Sequence, residues 1–276
     1  MDILLHSEKR VSPAELIKKV SLETGLSRAD VKHAVKELAC QEEIAYTYDF
    51  GSTYIEISFS KPVQITDHFT LLPRSRKSSS DKNTNNDTDT NIEIIIDPGI
   101  SFGSGRHPTT KLCIEAMEQV FFREKLLNTK KKLKAIDIGT GSGVLAIAAV
   151  KAGISECLAV DTDPNAVFEA KRNVLLNMLE KKVKVTGKEL SHNADKQYGN
   201  FSLICANLRF PTLKKLIPLF LNITTDRSVL ILSGVRIWEI RELIDIYSQK
   251  GFKCLWEKSC KKWSGLVLYR SVTSPL

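Results

Sequence analysis

Across residues 92–270, short apolar runs alternate with segments whose apolar residues recur at helical spacing. The runs at 92–96, 135–138, 157–161, 183–186, 201–206 and 228–233, with two more near 253–257 and 265–270, read as strands. Most are continuously apolar rather than alternating, the pattern of strands covered on both faces. The intervening segments read as helices over 143–151, 164–178, 211–221 and 236–249, with a further one from Thr110 to about Glu124. Strands alternating with helices predict an α/β domain with a largely parallel sheet. Ligands are then expected at the carboxyl ends of its first, second and fourth central strands, 135–138, 157–161 and 201–206.

The pattern changes before residue 74. Residues 13–23 carry helical spacing with a proline near the start, Gly25 ends that helix, and Ser27 caps a second running to about Glu42. Ile44, Tyr46 and Tyr48 then alternate, Asp49–Ser52 reads as a turn, and Tyr54 to Phe59 alternate again. Helix, turn, helix and hairpin predict a small winged-helix-like domain over 1–73, a substrate or partner domain. Residues 74–91 contain no hydrophobic side chain, so burial cannot offset the entropy of ordering them, and they read as a disordered polar linker. The main domain is expected over 92–276.

The chemistry concentrates in Ala135-Ile-Asp-Ile-Gly-Thr-Gly-Ser-Gly-Val-Leu-Ala-Ile-Ala-Ala149, a strand that breaks into three alternate glycines and then a helix. Gly139, Gly141 and Gly143 let the chain turn tightly and let a ligand approach the main chain, while the helix start offers unpaired N–H groups. Asp161, twenty-two residues after Gly139, ends the next strand and can accept from both hydroxyls of a ribose. The dinucleotide fingerprint is Gly-x-Gly-x-x-Gly, whose third glycine allows close packing beneath a pyrophosphate; here the spacing is Gly-x-Gly-x-Gly. A cofactor with a ribose and no phosphate fits better, which favours S-adenosylmethionine over NAD. A ligand-free glycine turn is the bland alternative, and Asp137 and Asp161 at successive strand ends argue against it.

The charge is uneven: 8 Lys/Arg against 11 Asp/Glu over residues 1–73, 4 against 3 over 74–91, and 28 against 18 over 92–276. The basic surface belongs to the main domain and would steer an acidic partner there, RNA or an RNA-bound protein. On the second helix Arg28, Lys32 and Lys36 form a stripe such as a DNA-reading helix carries. In a net-acidic region the stripe reads as a solvated face, so nucleic acid is not the favoured partner of this domain. No apolar run approaches the roughly 20 residues needed to span a bilayer, and the first residues lack a secretory pattern, so a cytoplasmic protein is expected. Cys40, Cys113, Cys157, Cys205, Cys254 and Cys260 contain no C-x-x-C pair and read as buried thiols rather than metal ligands or disulfides.

Four segments together carry a family resemblance: Phe102-Gly-Ser-Gly-Arg-His-Pro-Thr-Thr110, Asp137-Ile-Gly-Thr-Gly-Ser-Gly-Val-Leu-Ala-Ile-Ala-Ala149, Val160-Asp-Thr-Asp-Pro-Asn-Ala-Val167 and Cys205-Ala-Asn-Leu208. Over roughly residues 92–270 the chain resembles the ribosomal protein methyltransferase PrmA family, whose members methylate the eleventh protein of the large ribosomal subunit. The resemblance implies a class I methyltransferase fold, Rossmann-like with seven mostly parallel strands, and S-adenosylmethionine as cofactor. It places Thr110 beside the methionine moiety, Gly139 and Gly141 where the main chain approaches the cofactor, Asp161 on the ribose, and Phe102 and Gly103 at the entrance. Asp137 is assigned a structural or cofactor-facing role. Asn207 would stand where donor meets acceptor and serve as the catalytic residue. His107 receives no proton-transfer role, its His-Pro turn shaping the loop while Thr109 or Thr110 caps the helix. Two departures stand out: Leu208-Arg-Phe-Pro follows Asn207, which would alter the acceptor pocket through Arg209 and Phe210, and residues 1–60 do not read as the family's small ferredoxin-like α+β domain.

The expected activity is methylation of amino groups, lysine or N-terminal amine, of a ribosomal protein, with no metal. Two other readings remain at this point. One is methylation of RNA or a small molecule, with Phe210 stacking on a flat base. The other is a non-catalytic DNA-binding regulator that senses S-adenosylmethionine.

Overall fold

The computed structural model describes residues 4, 11–49, 51–58, 61–74, 91–97, 107–129, 131–190 and 200–270. The chain divides into two units, Met1–Pro62 and Val63–Leu276.

In the first unit α1 (Pro13–Thr24) opens with a capping box. The Glu15 N–H donates to Ser12 Oγ at 3.3 Å, and the Ser12 N–H donates to Glu15 Oε2 at 3.0 Å. Gly25 closes the helix at φ 72°, a conformation that costs glycine little. Ser27 caps α2 (Arg28–Cys40) by accepting from the Asp30 N–H. β1 (Ile44–Asp49) and β2 (Ser52–Ile57) form an antiparallel hairpin, to which Val11 adds a bridge at Ile55. Among the described residues six buried side chains form the core: Val11, Leu16, Val31, Val35, Ile44 and Ile55. The Arg28/Lys32/Lys36 stripe faces solvent.

The second unit starts earlier than the pattern suggested. β3 (Val63–Gln64) and β4 (Phe69–Pro73) form a small sheet with β5 (Ile92–Ile96), β4 running parallel to β5. Residues 63–73, read from the sequence as part of the first domain, therefore share a sheet with the main domain. The polar stretch had hidden this, because strands on either side of a polar gap look like separate domains until their pairing is seen. Residues 75–90 lie outside the described residues.

The central sheet has seven strands in the order β11-β12-β10-β9-β6-β7-β8. Their ranges are β6 Lys134–Ile138, β7 Glu156–Val160, β8 Val183–Thr186, β9 Phe201–Asn207, β10 Thr224–Arg236, β11 Phe252–Cys260 and β12 Trp263–Arg270. β12 alone is antiparallel to its neighbours. Helices α3 (Pro108–Glu118), α4 (Val144–Lys151), α5 (Pro164–Leu176), α6 (Phe210–Lys215), α7 (Ile217–Ile223) and α8 (Ile240–Ser248) cover it, α3 running on into a π-helical turn, Gln119–Arg123. Its core includes Ile136, Leu158, Ile204, Phe220, Leu230 and Tyr247. This is the α/β fold with a mostly parallel sheet that the alternation implied.

Three features differ from the sequence reading. The single helix over 211–221 is two, because Pro218 has no N–H to continue α6. β10 runs on to Arg236, whose N–H donates to Glu239 Oε2 at 2.7 Å, so the helix expected from 236 starts at Ile240. Of the six cysteines Cys113, Cys157 and Cys205 are buried, while Cys40 is exposed and Cys254 and Cys260 are half-buried. No helix among the described residues is long and apolar enough to cross a membrane.

Candidate active site at the carboxyl ends of the central strands

The glycine loop joins β6 to α4 with Gly139, Gly141 and Gly143 at φ 72°, 54° and 84°, a region that side chains rarely adopt. Two positions are also crowded: a Cβ on Gly139 would stand 2.5 Å from Leu208 Cδ2, and one on Gly143 3.3 Å from Ala170. The Gly139 and Thr140 N–H groups both donate to the Val160 carbonyl, at 2.8 and 3.0 Å, seating the loop on the end of β7.

Asp161 follows that strand end. Its Oδ2 accepts from the Gly141 N–H at 2.9 Å and its Oδ1 from the Asp163 N–H at 3.0 Å. Asp163 in turn caps α5 by accepting from Asn165. The carboxylate is thereby fixed in place, and it keeps lone pairs for two further donors. Below the loop Asp137 is buried, its Oδ2 accepting from the Thr140 hydroxyl at 2.6 Å, while its Oδ1 has no hydrogen bond among the described residues. Burial pushes its carboxyl up to about 7. The Thr140 hydroxyl and the Ala146 N–H work against that rise, and nearby Asp161 adds to it.

Asn207 ends β9. It stands in register with Ser233 of β10, and the Leu208 N–H donates to the Ser233 carbonyl at 3.0 Å. The Asn207 Oδ1 is buried with no partner among the described residues, and so is the Oγ1 of Thr110 on α3. Buried polar atoms are nearly always satisfied, so such orphans point to a missing bonding group. His107, not Thr109 or Thr110, caps α3: its Nδ1 accepts from the Thr109 N–H at 3.3 Å and lies 2.8 Å from the Thr109 hydroxyl. Burial, then Lys261 and Arg236, lower its pKa to about 4, which keeps the ring neutral and able to accept. The same ring meets Trp263 edge-on, and Arg236 stacks on the Trp263 indole at 3.8 Å.

A cleft of about 440 Å³ opens at these strand ends, and Gly139, Gly141, Asp161 and Asn207 share its wall. Of the remaining sequence-derived candidates, Asp137 and Thr110 are buried and off that wall, and Phe102 and Gly103 fall outside the described residues. Arg209 and Phe210 do not line the cleft. Phe210 packs against the sheet core beneath Lys214, which removes the stacking platform that a flat base would need. Among the described residues there is no cluster of three or more metal-ligating side chains.

Two positioning residues escaped the sequence reading. Gly234 sits at φ 87° in a bulge of β10, and a Cβ there would lie 2.5 Å from the Leu208 carbonyl oxygen, so only glycine lets the chain after Asn207 rest on β10. A lone glycine inside the run Val229–Val235 was the available signal. Asn173 on α5 donates to the Ser142 carbonyl and accepts from the Asp97 N–H, tying the glycine loop to the end of β5. Nothing in the local pattern marks it, since its two partners lie 31 and 76 residues away.

Comparison with known proteins bears on the family of the chain. The family model for ribosomal protein L11 methyltransferase (PrmA) matches residues 53–271. The ribosomal protein L11 methyltransferase of Hydrogenovibrio crunogenus is 34% identical over 183 residues, 66% of this chain and 57% of that protein. That of Thermotoga neapolitana is 34% identical over 211 residues, 76% of this chain and 72% of its own. A crystal structure of ribosomal protein L11 methylase from Lactobacillus delbrueckii subsp. bulgaricus superposes with a TM-score of 0.61 at 25% identity, covering 76% of this chain and 98% of that one. The chain spans little more than half the length of several of the curated relatives it matches. With the match running from 53 to 271 and relatives above 30% identity across three quarters of the sequence, the chain belongs to the ribosomal protein L11 methyltransferase (PrmA) family.

Proposed function

We propose that the protein transfers methyl groups from S-adenosylmethionine to amino groups, of lysine or of an N-terminus, on a ribosomal protein. The observation that carries this reading is the unpartnered Asn207 carbonyl, buried at the end of β9 on the same cleft wall as Gly139 and Asp161. The residues fit the cofactor: a fixed carboxylate for ribose hydroxyls and a glycine loop without side chains in the way. Bound there, S-adenosylmethionine supplies an electrophilic methyl on a sulfonium.

The protein's part is to present a neutral amine in line with that methyl. A lysine of ordinary pKa near 10.4 costs about 4 to 5 kcal/mol to deprotonate at neutral pH, and desolvation in the cleft lowers that cost. The Asn207 carbonyl accepts from the amine N–H and so directs the nitrogen lone pair, without itself titrating. Asp137 is not the base. It is buried away from the cleft wall and holds Thr140, and through Thr140 the loop.

The test is transfer of labelled methyl from S-adenosylmethionine to the L11 protein and to total ribosomal protein of the source organism. Labelling of an amino group on one ribosomal protein is expected, with Asn207→Ala slowing transfer on the order of 100-fold while cofactor affinity stays within several-fold. Label appearing only in RNA or in small molecules would overturn the reading.

A further inference from the structure

A second cleft, of about 360 Å³, lies at the opposite ends of the strands, where β6, β7 and β8 begin. Lys134, Lys181, Lys182 and Lys184 line it, with Glu156 and Glu180. Lys131 and Lys132 are exposed on the segment that enters β6, and Lys132 Nζ takes up Glu156 at 2.9 Å. Among the described residues of this edge, four lysines of the cleft and two of the segment that enters it stand with two carboxylates, an excess of four positive charges. All six lysines are exposed, whereas the apolar residues of the lining, Ala135, Cys157, Leu158 and Phe201, are buried.

That composition selects the partner. Protein interfaces have an apolar or aromatic centre and are depleted in lysine. Surfaces for nucleic acid are polar and strongly positive, because their main contacts are to phosphates. This edge has the second character, and its lining offers no exposed apolar side chain to a protein. We propose that it binds the phosphate backbone of RNA without reading its sequence, at the end of the sheet away from the cleft that holds Asp161. The choice of RNA as the polyanion rests on the proposed ribosomal substrate; the phosphate chemistry rests on the lysines alone.

The test is fluorescence anisotropy of the full chain with a labelled single-stranded RNA of about 20 nucleotides. Four neutralised phosphates give a log–log salt slope near −2.8, so affinity should fall roughly 50-fold between about 50 and 200 mM salt. The variant K181E/K182E/K184E should abolish measurable binding. R28E/K32E/K36E, with the same change in net charge on the first unit, should leave both affinity and slope close to the parent. The milder K181A/K184A should flatten the slope by about 1.4, which keeps the test decisive if the triple reversal fails to fold. Cofactor affinity, measured on each variant, should not change. Equal losses in both triple variants would reduce the effect to net charge and overturn the assignment. So would no RNA binding at all, or capture of duplex DNA or polyglutamate in place of RNA. Methyl transfer to a ribosomal protein is scored separately, so failure here leaves the proposed activity standing, and failure there withdraws only the choice of RNA.

Discussion

Asp161 shows how few atoms set the cofactor side of the cleft. With two backbone N–H groups already holding its oxygens, it needs no rearrangement to accept from two hydroxyls. Charge-assisted bonds contribute about 1.5–3 kcal/mol each, so Asp161→Ala should weaken S-adenosylmethionine by at least roughly 10-fold in calorimetry. An unchanged dissociation constant would remove the ribose assignment. Asp137 and His107 make a second prediction, of opposite signs. The carboxyl of Asp137 stays protonated to about pH 7 in the folded chain. Unfolded, it ionises near 3.9, so the native state holds more protons across that window and stability falls as pH rises, by up to about 1.4 kcal/mol for each pH step crossed. His107 has its pKa lowered to about 4, so the unfolded chain takes up the proton first and stability falls as pH drops from about 6.5 towards 4. Urea denaturation across about pH 4 to 7 should show Asp137→Asn gaining on the parent as pH rises, and His107→Asn gaining as it falls. Curves parallel to the parent's would mean that neither group titrates abnormally in the folded chain.

At the scale of elements, two joints position the site. Gly234→Ala forces a side chain onto the Leu208 carbonyl at a positive φ, and should cost at least about 2 kcal/mol in urea midpoint measurements. A loss below about 0.5 kcal/mol would show that the bulge relaxes freely. The other joint is the crossover from β4 to β5, whose parallel pairing obliges the chain to return along the full strand before pairing again. Parallel connections need about a dozen residues, so replacing 75–90 by a Gly-Ser connector of that length should preserve folding and cofactor affinity. A connector of about four residues should not. The central strands, the glycine loop and Asp161 were legible because each is written in contiguous residues: apolar runs, alternate glycines, a strand-end acid. The β3–β5 sheet, the hold of Asn173 on Asp97 and Ser142, and the break before Pro218 were not. The first two join residues far apart in sequence, and at the third an apolar helical pattern concealed a missing N–H. Arg209 and Phe210 misled for a related reason, since adjacency to Asn207 in sequence put them in a pocket that the turn into α6 carries them away from.

At the scale of the whole molecule, the second unit concentrates both the positive charge and the site. Residues 63–276 hold 32 Lys/Arg against 22 Asp/Glu, while residues 1–62 hold 8 against 10. The two units also differ sharply in how much they bury. Among the described residues the first buries six apolar side chains in its core, and the second has a sheet core several times larger. Small domains lie close to the margin of stability, because the fraction of surface buried on folding falls as a domain gets smaller. Heating should therefore produce two calorimetric transitions rather than one, the lower belonging to the hairpin and its two helices. A ligand raises the melting point only of the unit it binds, so S-adenosylmethionine should move the upper transition and leave the lower where it was. Between those two temperatures lies a range in which part of the helical signal has gone while the cofactor still binds, and cofactor binding and far-ultraviolet ellipticity would report different melting points for the same chain.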